Sequence, residues 1–369
     1  MLRASIGISI LAVIVVLAHS EPAVAQSTPG RDLAVVSWGG SYTRSQMLAY
    51  VKPFRAESGK WVRMETYNGG LKEIREQVES ANITWDVVDF ELADLIKGCR
   101  EGLLEKIDHS RLPAGADGTP ASEDFISGAF TDCGVGQVIW ATVVGYDTTK
   151  VGKKPPTKLA DFFDVKAYPG KRGLRRDPRI VLEWALMADG VSPDKVYSTL
   201  ESDDGLKRAF SVLNRIRRHI VWWQTGTEPV SLLESGDVVM TSVWNGRMYR
   251  PIVEQSKNFS ILWDGQIWDI DSWGIVKGTD NLNESLAFVR FATDTKQLAE
   301  QTKYIPYGPA RKSSMALVGE KVKAMLPTAH MANALPTNAQ WWATHHAELS
   351  EKFERWYRGG GSPLSGTAR

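Results

Sequence analysis

The sequence predicts an α/β protein whose mostly parallel sheets are flanked by helices. Three observations lead there. Strand-like and helix-like stretches alternate along the chain at the pace of βαβ units. The chain has 369 residues, and at about 100–200 residues per domain that means two domains or one large one. Hydrophobic residues make up 43% and charged residues 24%, a soluble globular balance that excludes disorder and fibrous repeats. The net charge is +1, without the basic excess of a nucleic-acid binder. The 14 Trp and 10 Tyr exceed what a core needs, so some of these rings are expected to serve recognition.

The first segment reads as an export signal. Arg3 opens it, Ile6 to Ala18 is a nearly continuous apolar run, and Ala23-Val24-Ala25 is a small-x-small cleavage pattern before Gln26. The run is shorter than the roughly 20 apolar residues of a spanning helix, so a cleaved signal over 1–25 is expected. Asp32 to Ser37 is then a buried strand. Met47, Tyr50, Val51 and Phe54 share one helical face between Tyr42 and Glu57. Trp61 to Thr66 is a second strand, Asn68-Gly69-Gly70 a turn, and Leu71, Ile74 and Val78 mark a helix. Trp85 to Phe90 is a third strand, and Leu92, Leu95 and Ile96 begin another helix. After a loop over Arg111 to Thr119, Val135 to Gly145 is a long apolar strand.

A second α/β region follows. Ser192-Pro193 caps a helix, and Leu206, Phe210, Leu213 and Ile216 form the apolar stripe of the next. Asp237 to Val243, Phe259 to Trp263 and Asp271 to Val276 read as three separate strands, with a helix from Asn245 to Gln255. Leu282 to Ala292 and Thr295 to Thr302 are helices, and the tail 359–369 is expected to be frayed.

Export favours a Cys99–Cys133 disulfide over two buried thiols, since no other cysteine can partner either one. Motifs for catalysis are missing: there is no G-x-S-x-G elbow, no H-E-x-x-H, no S-x-x-K, no glycine-rich nucleotide loop and no C-x-x-C. Of the histidines, only His345 and His346 are adjacent, and neighbours on a helix diverge too far to chelate one metal. No catalytic residue, metal or cofactor is expected. What remains is a ligand-binding protein.

Four segments put Trp or Tyr beside small or acidic residues at predicted strand ends, where open α/β sheets place ligands. In Ser37-Trp38-Gly39-Gly40-Ser41-Tyr42 the glycines let a ligand approach the backbone while the rings wall it; a tight turn with core rings reads equally well. In Val88-Asp89-Phe90-Glu91, Asp89 caps the next helix or faces a pocket, and capping is favoured. Ser242-Val243-Trp244-Asn245-Gly246 is again strand into helix. In Gln266 to Trp273, Asp269 and Asp271 alternate with apolar neighbours and share one face, which costs energy unless a cation or donor lies between them. Rings and carboxylates suit ammonium groups, and they suit carbohydrates as well.

In this order and spacing, behind a signal, the segments resemble a periplasmic solute-binding protein of an ATP-driven importer, in the spermidine/putrescine-binding group. The likeness covers most of the mature chain. It rests on Ser-Trp-Gly-Gly-Ser-Tyr (37–42), Trp-Asp-Val-Val (85–88), Glu-Gly-Leu-Leu-Glu-Lys-Ile-Asp (101–108), Val-Trp-Asn-Gly (243–246) and Asp-Ser-Trp-Gly-Ile (271–275). It implies a type II two-lobed fold with crossing hinge strands. Residues 26–140 plus 272–314 would form the first lobe and 141–271 plus 315–358 the second, with ligand held between them.

The resemblance also implies ligand contacts from Trp38, Tyr42 and Trp244, and an amine held by Asp271. Asp177 stands where the group has the first of two acidic residues. The second falls on Ile180, a Trp before the amine-binding Asp is replaced by Asp269, and a late aromatic position falls on Ile305 beside Pro306 and Tyr307. Glu91 and Ala93 stand where the group offers Ser and Tyr. The expectation is a polyamine or related amine bound by Trp38, Gly39, Gly40, Tyr42, Glu91, Asp177, Trp244, Asp269 and Asp271. A monomeric periplasmic protein would deliver it to ABC transporter permease subunits. The alternative is an anionic or zwitterionic metabolite, amino acid or opine-like, held by the helix N-terminus after Gly40 and by an arginine such as Arg176. A secreted hydrolase or a carbohydrate-binding module are further alternatives.

Overall fold

Short apolar runs become parallel strands wherever helices can cover both faces. The computed structural model describes residues 31–359, so the predicted signal and the tail beyond Gly359 lie outside the described residues. β1 (Leu33–Ser37), β2 (Val62–Thr66) and β3 (Val87–Glu91) pair in parallel in the order β2-β1-β3, with β1 and β3 buried throughout. Between β1 and β2 a helical run from Gly40 to Ser58 passes through a π turn at Met47–Val51. It turns Tyr50, Val51 and Phe54 inward, as their spacing predicts.

The short β4 (Phe130–Thr131) leads into β5 (Gly134–Asp147), which is buried at every residue. β6 (Arg172–Arg175), β7 (Ile220–Trp223) and β8 (Met240–Trp244) form a second parallel set in the order β8-β6-β7. β9 (Phe259–Ile275) spans 17 residues, and β10 (Gly308–Pro309) and β11 (Leu335–Pro336) are short additions to β5 and β9. The full order is β2-β1-β3-β9-β5-β8-β6-β7. β9 runs antiparallel to β3, β5 runs antiparallel to β8, and the two pair with each other from Gly134↔Gly274 to Asp147↔Phe259. These long strands pass from one lobe to the other.

Three expectations need correction. β9 is one strand, not two, and the apparent break has a cause. The register against β5 slips between Thr142↔Ile267 and Val144↔Leu262, so the polar Asp264-Gly265-Gln266 stretch bulges from the ladder. Gly265 takes φ +72°, and a Cβ there would lie 2.7 Å from Leu159. The predicted helix after β8 is a 3₁₀ turn at Asn245–Met248 followed by a π turn at Arg250–Glu254. Ser192 does not cap a backbone N–H; its hydroxyl donates to Asp194 Oδ1 at 2.6 Å.

Cys99 and Cys133 form a disulfide across 34 residues of chain. Not all of the tryptophans are recognition residues. Trp273 packs with Tyr50, Phe54 and Phe288 in the core of the first lobe. Trp184, Trp342 and Trp356 pack with Phe162 and Phe210 in that of the second. Trp342 and Trp356 belong to a helix at Ala339–Arg358 that the sequence reading passes over. A third cluster draws on both lobes: Trp38, Tyr42, Tyr67, Trp140, Trp223, Trp244 and Tyr307.

Candidate functional site

That aromatic cluster surrounds the one place where the strand ends of both lobes converge. Trp38 and Tyr42 follow β1, Glu91 ends β3, Trp140 and Asp271 lie on the crossing strands, Trp244 ends β8, and Tyr307 precedes β10. Together these seven residues line one small enclosed space. The Trp38 and Trp244 rings meet edge to face at 5.7 Å, Trp140 and Trp244 at 5.9 Å, and Tyr42 and Tyr307 at 5.1 Å. The space left between them is about 10 Å³, room for one water at most. The lobes are shut, and a solute enters only as they part or the rings shift.

Charge in the cleft is distributed unevenly. Glu91 accepts a hydrogen bond from Arg175 Nη1 at 2.7 Å and forms an ion pair with Arg179 Nη1 at 2.7 Å, so two guanidinium groups of the second lobe neutralise it. Asp271 has no such cation; its Oδ1 accepts the Trp140 indole N–H at 2.6 Å. Burial first, then the charges of Asp89, Glu91 and Asp269, push the Asp271 carboxyl well above its usual range. Behind it, Asp89 Oδ2 accepts Gln46 Nε2 at 2.5 Å. Burial outweighs that bond and lifts Asp89 to about 7. Arg175 stands 5.5 Å from the Trp244 ring and 5.8 Å from Trp38, while Arg247 stands 5.4 Å from Trp244 and 6.0 Å from Tyr42. The protein's own arginines therefore already occupy much of the cation-attracting aromatic surface.

The lobes are tied by Arg247, which donates from Nη1 to Gly39 O at 2.7 Å and from Nη2 to Trp38 O at 3.1 Å. Glycine is required for this approach. A Cβ on Gly40 would lie 2.7 Å from Arg247 Nη1 and 2.9 Å from Thr227 Cγ2, and Gly40 takes φ +58°. What approaches the Gly39-Gly40 backbone is thus a guanidinium of the opposite lobe, and it meets carbonyls rather than the N–H groups of a helix start.

Of the residues expected to form the site, the fold brings Trp38, Tyr42, Glu91, Trp244 and Asp271 to the enclosed space, with Gly39 and Gly40 beside it. Asp177 and Asp269 are not in its lining. Asp177 accepts Arg179 Nη2 at 2.9 Å and lies 3.4 Å from His346 Nε2. Burial opposes its ionisation, but Arg179 and His346 prevail and hold its carboxyl well below the usual range. Asp269 turns Oδ1 onto the N–H of Ile270 at 2.8 Å. Arg176 pairs with Glu354 at 2.7 Å; its neighbour Arg175, not Arg176, reaches the cleft. Arg175, Arg247, Trp140 and Tyr307 are the residues that the sequence reading missed as contacts. The usable signal was position: Arg175 closes β6, and Arg247 lies in the turn that follows β8.

Residues 49–332 match the family described as bacterial extracellular solute-binding proteins. The chain belongs to that family. A γ-aminobutyric acid-binding protein of Pseudomonas aeruginosa is 38% identical to this solute-binding protein over 342 residues, 92% of this chain and 94% of that one. A putrescine-binding periplasmic protein of the same species is 24% identical, over 83% of this chain and 86% of that one. Among solved structures, a binding protein of A. tumefaciens in complex with glucopine matches at a TM-score of 0.81 and 26% identity, covering 88% of this chain and 99% of that one. The fold is the type II, two-lobed one. This solute-binding protein captures a small molecule for an ABC importer and is not an enzyme, which removes the secreted hydrolase from consideration.

Proposed function

We propose that this solute-binding protein captures a small zwitterion, with an ammonium at one end and a carboxylate at the other, of the γ-aminobutyrate kind. One observation carries the reading: the cleft holds a single carboxylate, Asp271, that no guanidinium neutralises. A diamine brings two positive charges and needs two such partners. Asp89, the next acidic group inward, already accepts Gln46 Nε2 and is not in the lining of the space. A zwitterion needs one anion and one positive region, and the cleft has both. Asp271 and the Trp140 ring beside it receive the ammonium. The Trp38 indole N–H, buried without a hydrogen-bond partner, and the field of Arg175 and Arg247 receive the carboxylate. Glu91 then positions Arg175, and Gly39 and Gly40 position Arg247. The similarity to the γ-aminobutyric acid-binding protein supports the same class.

The same proposal places the mature protein in the periplasm as a monomer starting at Gln26 and delivering its solute to permease subunits. It divides the lobes as 26–140 with 272–314 and 141–271 with 315–358, a division supported by the way β5 and β9 cross. A polyamine is the second reading, supported by the similarity to the putrescine-binding protein. Isothermal titration with γ-aminobutyrate, putrescine and spermidine at neutral pH separates the two. γ-Aminobutyrate is expected to bind at least about tenfold more tightly than either amine, the effect of one unmatched charge; tighter putrescine binding would reverse the assignment.

A further inference from the structure

Next to the aromatic space, and separated from it by Arg247, lies a larger cavity of about 280 Å³ at the mouth of the cleft. Its walls come from both lobes: Gly40, Ser41 and Arg44 on one side, and residues from Gly226 to Gln255, Arg247 and Arg250 among them, on the other. The lining is strongly cationic. Arg44 makes no ion pair among the described residues. Arg250 has only a loose contact with Glu254 at 3.7 Å, both of them exposed. Arg247 is 4% exposed, spends two nitrogens on backbone carbonyls, and keeps Nε buried without a partner. Glu234 is the one carboxylate of the lining, and Lys257 stands 3.9 Å from it. Closing the lobes therefore gathers three guanidinium groups around one space, and like charges drawn together oppose closure unless an anion joins them.

We propose that this mouth cavity is an anion subsite, distinct from the solute cavity, which binds a small oxyanion of the phosphate or carboxylate type between Arg44 and the Arg247–Arg250 pair. Because the subsite takes residues from both lobes, an anion in it favours the closed form. By linkage, it then raises the affinity for the solute. The inference does not depend on which solute the inner cavity holds.

The test uses the full mature chain and the double variant Arg44→Ala/Arg250→Ala, neither residue being part of the solute cavity. Inorganic phosphate and, separately, succinate are titrated at constant ionic strength set with chloride, and the thermal midpoint and heat of binding are followed. The wild type is expected to bind one or the other with a rise in midpoint, and the double variant to bind it roughly tenfold or more weakly, having lost two charge-assisted contacts. A response to phosphate alone or to succinate alone assigns the chemistry of the anion. No response to either, or an equal response in the double variant, overturns the proposal. γ-Aminobutyrate is titrated into the same two proteins. Failure of the wild type to bind it would count against the solute reading and leave the subsite standing. Loss of its binding only in the double variant would merge the two cavities and overturn the claim of a distinct subsite.

Discussion

Replacing Asp271 by Asn should move affinity and stability in opposite directions. The carboxylate is 4% exposed, and within the cleft it is the only acid left without a guanidinium partner. If it holds the solute's ammonium, truncating the charge removes a buried, hydrogen-bonded ion pair. Such losses cost about 2–5 kcal/mol of binding, or roughly thirtyfold to several-thousandfold in Kd. Stability responds with the other sign. Burial and the neighbouring Asp89, Glu91 and Asp269 charges raise the Asp271 pKa in the folded chain. The folded state therefore binds this proton more tightly than the unfolded one, and above the unfolded pKa the ionised group weighs against folding. Asn removes that penalty and still accepts the Trp140 indole N–H. The solute-free variant should unfold at a higher temperature than wild type near neutral pH, while γ-aminobutyrate adds far less to its midpoint. In the wild type, ligand at 100 times Kd adds about 2.7 kcal/mol. Calorimetric titration and thermal unfolding of both proteins provide the check. A variant that binds as well as wild type would refute the role given to Asp271, and one that loses affinity and stability together would show only that the cleft had been damaged.

Asp89 makes a pH prediction. The folded chain releases its proton at about 7 and the unfolded chain near the ordinary 3.8, so stability should fall as pH rises between those values, on the order of 4 kcal/mol in all. Asp89→Asn should flatten urea midpoints measured from pH 5 to 8 and raise the one at pH 8; parallel curves would contradict this. Gly40→Ala should strain a residue at φ +58° and press on Arg247 and Thr227, weakening closure by about 1–3 kcal/mol. Small-angle scattering should then show a more open molecule with solute present, and unchanged dimensions and affinity would remove the glycine argument. The double variant Cys99→Ser/Cys133→Ser frees a 34-residue loop and should lose about 3–4 kcal/mol of stability with solute affinity retained, as reduction by dithiothreitol should also show.

The strands and helices of the first lobe were legible because each is a short apolar run with a single period. Leu33–Ser37, Val62–Thr66 and Val87–Glu91 fall within a residue or two of where the pattern puts them. β9 was misread for the reason that makes it useful. A strand that joins the two parallel sets of one sheet bends where its ladder bulges, and the polar stretch around Gly265 that permits the bend looks like a turn when its partner β5 is out of view. The site divides in the same way. Glu91, Trp38 and Tyr42 sit at strand ends of the first lobe and Asp271 on the crossing strand β9, and local pattern finds them. Arg175 and Arg247 belong to the other lobe, where an arginine after a short strand reads as a solvated charge. Only closure carries them to Glu91 and to the Trp38 and Gly39 carbonyls. The first lobe alone is acidic and aromatic, and it reads as an amine site. The arginines change that, because a cleft that must close around buried guanidinium groups favours a guest with a negative end. The ligand class is thus set by which charges meet when the lobes shut, and no segment of the sequence contains that meeting.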